Sequence, residues 1–129
     1  MDTQYARKLL DIYIENAWRI FHGRFGCDRA ETAMFAAIDF VREEEGLRPY
    51  FLQRVRETLS DSDGWGAGAG GMPRELILLA IHELRWPEFH QLIEMRRAQF
   101  PHDLLFHSLL AAFEPDWEDR EFYQHYSVA

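Results

Sequence analysis

Apolar residues recur at three- and four-residue steps through most of this chain, and glycine or proline interrupts the steps at regular places. From residue 3 to residue 22, Tyr5, Leu9, Ile12, Tyr13, Asn16 and Ile20 form one such stripe, widened by Ala17 and Phe21. That spacing predicts a first helix with this stripe turned inward. Gly23 and Gly26 follow as stop signals. A second helix is expected to open at Asp28, which with Glu31 makes a variant capping box. Its inward face is Ala30, Ala33, Met34, Ala37, Ile38 and Val41, and its end is the run Glu43-Glu44-Glu45-Gly46. A third runs from Pro49 to about Leu59 with Phe51, Leu52, Val55 and Leu59 inward.

The second half is phased by proline. Pro73, Pro87, Pro101 and Pro115 stand at intervals of fourteen residues, each followed closely by an acid: Glu75, Glu88, Asp103, Asp116. Proline suits a helix start because its missing N–H would be unpaired there, and carboxylates in the first turn are favoured by the helix dipole. The helix after Pro73 is apolar nearly all round, Leu76 to Ile81, which predicts a central position. The next offers Phe89, Leu92 and Ile93 to a core, and the one after it Leu104, Leu105, Leu109 and Phe113. No strand-like alternation competes with these assignments. Segments 73–89 and 101–117 also align position by position, which admits a 28-residue helix-pair repeat of small-solenoid type.

Between the halves lies Asp61–Gly71, DSDGWGAGAGG, which reads as a linker. The expected architecture is therefore one all-α domain, residues 1–129. It holds six or seven short helices in antiparallel hairpins, three before the linker and the proline-phased set after it.

Composition narrows the function. With 22 acids against 14 bases the net charge is -8, and the longest basic run is Arg96-Arg97, so a nucleic-acid backbone is a poor partner and a basic protein a good one. Cys27 is the single cysteine, so no internal disulfide forms, and a reducing, cytoplasmic setting is expected. Arg7, Lys8, Asp11, Glu15 and Arg19 break up the first apolar stretch, so it reads neither as a signal peptide nor as a membrane span.

Candidate chemistry is thin. Gly66, Gly68 and Gly71 match a dinucleotide-loop spacing, but a helix and two carboxylates precede them where a strand is required. Asp61 and Asp63 start a calcium-loop pattern that lacks its later ligands. His82-Glu83 opens like a zinc helix, but Trp86 stands where the second histidine belongs. Asp103 with His107, and Glu121 with His125, each give half a site at most, so no metal or other cofactor is expected. Cys27, before a helix start and five residues after His22, reads as a packing residue.

The segment Glu114–Tyr126, EPDWEDREFYQHY, carries the main functional expectation. It sets Trp117, Phe122, Tyr123 and Tyr126 among Asp116, Glu118 and Asp119, a mix of hot-spot aromatics and steering charge that suits a basic protein partner. An adaptor or inhibitor-type interaction domain is the expectation that follows, by analogy with small acidic helical proteins that neutralise basic toxins. Two alternatives stand beside it. One is an enzyme or small-ligand binder with a pocket between the halves that uses His82, Glu83 and Arg85; the other is a homodimer with a structural role.

Overall fold

In the computed structural model, which describes residues 2–61 and 71–127, every regular element is helical. Six α-helices follow one another: α1 (Thr3–His22), α2 (Cys27–Glu43), α3 (Arg48–Leu59), α4 (Arg74–Leu84), α5 (Glu88–Gln99) and α6 (Leu105–Ala111). A 3-10 turn, Glu45–Leu47, links α2 to α3, and two more, Glu118–Phe122 and Gln124–Tyr126, follow α6. No helix among the described residues is long and apolar enough to cross a membrane. Most of the expected linker, 62–70, lies outside the described residues, and so does the Gly66–Gly68 spacing.

α1 and α2 fold back on each other as the most extensive helix pair, and alanines stand among the larger residues on the buried face of each. Ala6, Leu10, Ile14 and Ala17 of α1 are buried against a face of α2 that includes Ala30, Met34 and Ala37. This corrects the expected inward stripe. Tyr5 and Ile12 are 55% and 51% exposed, Asn16 is exposed, and Leu9, Tyr13 and Ile20 are only partly covered. The helix carries two apolar stripes. The one richer in alanine wins because short side chains let the axes approach and fill the seam without voids.

The prolines do what their stereochemistry allows, one residue earlier than expected for two of them. Pro73 and Pro87 occupy the N-cap positions of α4 and α5, with Glu75 and Glu88 in the first turns. α4 is central: Leu76 through His82 are all buried, Leu78, Leu79 and Ile81 included. It ends at Arg85, whose left-handed backbone (φ 52°) turns the chain so that α5 packs chiefly on α3 and α6. α6 starts later than the proline phasing predicts. Pro101 is exposed in a turn and Leu104 is 74% exposed, whereas their counterparts in the proposed repeat, Pro73 and Leu76, are buried. Ser108 is exposed where Ala80 is buried. These three matched pairs thus occupy different environments, whereas Ile81 with Leu109 and Phe89 with Trp117 are buried in both segments.

Ionic ties connect the layers. Asp11 of α1 accepts from the Tyr50 hydroxyl at 2.8 Å and from the Arg54 guanidinium, both on α3. Arg42 reaches Glu83 of α4 at 3.1 Å, and Arg48 reaches Glu88 of α5 at 2.6 Å. Among the described residues neither arginine forms an ion pair with Glu43, Glu44 or Glu45. The most buried cation is Arg96 of α5, which donates to the Leu59 and Asp61 carbonyls, both at 2.8 Å, and to Asp103 at 3.0 Å. Asp103 in turn accepts from the Leu105 N–H at 2.9 Å, so one carboxylate starts α6 and anchors it to α5.

Candidate functional site

The segment after α6 folds back over α2 and α4, and its aromatic residues divide into two groups. Trp117 and Tyr123 are 5% and 3% exposed, so they serve as core residues with little ring area left at the surface. Tyr126 is half-buried, and Phe122, at 59%, stands out from the surface. The reason lies in the chain path. The 3-10 turn Glu118–Phe122 carries three acids, which need water, so Trp117 and Tyr123 at its two ends turn inward.

Beneath them, the polar side of α4 is fully engaged. His82 donates from Nδ1 to the Ala112 carbonyl at 2.8 Å. That leaves Nε2 as an acceptor, and Nη1 of Arg120 donates to it at 2.6 Å. The Arg120 guanidinium lies 4.1 Å from the centre of the Tyr126 ring, and the Tyr126 hydroxyl donates to Glu83 at 2.6 Å. Trp117 covers His82 with ring centroids 4.9 Å apart. Burial lowers the His82 pKa, and the nearby positive charge of Arg120 lowers it further, so this histidine is neutral. For Glu83, burial pushes the carboxyl up, but the hydrogen bonds from Tyr126 and Arg42 outweigh it and hold the pKa below the ordinary range.

A second tie comes from α2. Glu31 accepts from the backbone N–H groups of Gln124 and His125 at 2.9 and 3.0 Å, and Phe35 stacks on His125 at 4.3 Å. Glu31 therefore caps the last 3-10 turn. The expected capping box with Asp28 does not form, since α2 starts at Cys27 with Gly26 as its N-cap and no side-chain cap. A carboxylate near a helix start can serve either end in sequence. Only the packing of the C-terminal segment decides which N–H groups reach it.

On the outer side of the same segment two adjoining grooves open. One, of about 430 Å³, runs between α6 and the 3-10 turn and is lined by Glu114, Asp116, Glu118 and Asp119, with Trp117 as its floor. Among the described residues none of these four carboxylates makes an ion pair. The other, of about 320 Å³, shares Ser108, Trp117 and Asp119 with it and is walled by Leu78, Leu105 and Phe122, with Arg74 and Glu75 also in its lining. Cys27 lies in this second groove, with the Tyr123 hydroxyl 3.9 Å from its sulfur. Burial raises the thiol pKa in spite of that hydrogen bond, so Cys27 is a protonated lining residue.

Of the residues expected at a partner surface, Asp116, Glu118, Asp119 and Phe122 come together around these grooves. Trp117 and Tyr123 form the floor, and Tyr126 reaches the opposite side to hold Glu83. His82, Glu83 and Arg85 do not converge on a ligand. His82 and Glu83 are engaged with Ala112, Arg120, Tyr126 and Arg42, while Arg85 is exposed and donates from Nε to the His82 carbonyl. Among the described residues, no group of three His, Cys, Asp or Glu side chains is placed to hold a metal ion. Glu114 belongs to the expected segment, whereas Leu78 and Leu105 line the site although the sequence pattern assigned them to the core, because they come from two separate stretches. No protein-family model, curated protein or solved structure matches the chain.

Proposed function

We propose that this chain is a protein-interaction domain that receives a basic, partly apolar segment of a partner protein in the groove between α6 and the C-terminal turn. The observation that carries this reading is the collection of Glu114, Asp116, Glu118 and Asp119 around one groove, none of them in an ion pair among the described residues, beside the exposed ring of Phe122. Carboxylates left unpaired on one face repel each other and are relieved by an incoming cation. The adjoining apolar walls of Leu78, Leu105 and Phe122 offer a place for an aliphatic or aromatic anchor. An adaptor or inhibitor role in the cytoplasm accords with the acidic balance and the single cysteine.

The test uses a fluorescent peptide of alternating arginine and leucine and an acidic control of the same length. Binding of the basic peptide should saturate, weaken with added salt, and weaken at least about tenfold when Asp116, Glu118 and Asp119 are neutralised together as D116N, E118Q and D119N. Equal binding by the triple variant would overturn the reading.

A further inference from the structure

The outward stripe of α1 is an apolar surface that the fold leaves uncovered. Tyr5 and Ile12 are more than half exposed, Leu9 lies partly covered between them, and Asn16 continues the line. Their spacing of four, three and four residues is the alternation of core positions in a coiled coil. The stripe does not compete with the fold, because α1 holds α2 through its other face, Ala6, Leu10, Ile14 and Ala17.

We propose that two copies of this chain pair through α1, antiparallel, about a two-fold axis passing between the levels of Leu10 and Asp11. Charge selects both the occupant and the direction. Lys8 and Glu15, seven residues apart, flank the stripe on the same side. Lys8 makes no ion pair among the described residues, and Glu15 holds only Arg19 of its own helix, at 2.9 Å, while staying about half exposed. Antiparallel pairing brings like flanks together, so Lys8 meets the partner's Glu15 and Glu15 meets the partner's Lys8. In the same register Leu9 faces the partner's Ile12, and Tyr5 faces the partner's Asn16, whose amide suits a phenol hydroxyl. A parallel pair would set Lys8 and Glu15 against the flank of Tyr13 and Ile20, which pack against their own core and offer no charge. The face is also balanced in charge, with Lys8 and Arg19 against Asp2 and Glu15, on a chain whose net charge of -8 resists self-association elsewhere. None of the acidic-groove residues takes part.

The test is the oligomeric state, followed by sedimentation velocity across a dilution series at low salt. A concentration-dependent monomer–dimer equilibrium is expected, in the micromolar class that a small two-helix interface supports. I12E should sediment as a monomer with an unchanged circular-dichroism spectrum. K8E places two like-charged pairs in the interface and should weaken the dimer about tenfold, and K8E/E15K should recover it. A wild-type monomer at every concentration would overturn the proposal. So would a dimer indifferent to I12E, or one indifferent to K8E as a parallel pair would be.

Discussion

His82 accepts a hydrogen bond from Arg120 at 2.6 Å through its Nε2, so a neutral imidazole and a guanidinium share one part-buried contact. The contact exists only while His82 is unprotonated, because an imidazolium has no lone pair to offer and would face a like charge. It fastens the C-terminal segment to the central helix and so links pH to the ordering of that segment.

The sign of the pH effect follows from the direction of the shift. The folded pKa of His82 lies below its ordinary value of 6.5, so the unfolded chain binds the proton first as pH falls. Stability from this group is complete above pH 6.5 and is lost as pH falls from there toward the lowered folded value. Thermal melts between pH 7.5 and pH 5.5 (an interval on the order of one or two pKa units around histidine) should show a falling midpoint in the wild type. The H82N variant should show a flatter profile. A wild-type profile flat across this range would refute the assignment.

The two groups of rings predict opposite phenotypes. Truncating Trp117 to Ala removes a buried ring and should destabilise the domain by roughly 3–5 kcal/mol, a loss readable in denaturant unfolding. Tyr123→Ala should cost a comparable amount. Phe122→Ala should leave the unfolding midpoint within about 0.5 kcal/mol of the wild type while weakening capture of the basic peptide.

Among the described residues Arg96 holds three acceptors, the Leu59 and Asp61 carbonyls at and just after the end of α3 and the Asp103 carboxylate before α6, and its removal leaves them without this cation. R96M should cost about 3–5 kcal/mol, since it strands a largely covered carboxylate rather than a solvated one. D103N keeps a hydrogen-bonding group in place and should cost less. Chemical denaturation of the pair checks the order, and R96M milder than D103N would contradict it.

Tyr126→Phe deletes the hydroxyl that Glu83 accepts, and a hydrogen bond to a charged group of this kind contributes about 1.5–3 kcal/mol. The loss should be local. Amide exchange should speed up in the 3-10 turn Gln124–Tyr126 and at the neighbouring Tyr123, with α1 and α3 unchanged. E31Q should loosen the same turn, because it weakens the bonds to the Gln124 and His125 N–H groups.

Much of the helical frame could be read from punctuation. The first helix has the boundaries that its pattern predicts, and the prolines at 73 and 87 mark two more starts, because φ restriction and a missing N–H act locally and leave local signals. The face of α1 was not legible, since Tyr5, Leu9 and Ile12 make as good a stripe as Ala6, Leu10 and Ile14 until a partner helix chooses between them. The acidic side of the candidate site was visible as a cluster in sequence. The fates of Trp117 and Phe122, five residues apart, were not, because only the return of the chain over His82 sends one inward and leaves the other out. The role of Glu31 was hidden for the same reason, its partners lying 93 and 94 residues away.

Because Trp117 is both core residue and groove floor, one short stretch of chain carries two kinds of selective pressure. A genetic screen scored only on lost binding would recover Trp117 and Tyr123 readily, through depleted protein rather than a damaged surface. Alleles at Phe122, Asp116 and Glu118 would be the informative ones. They should leave cellular abundance intact and separate the two pressures within a span of seven residues.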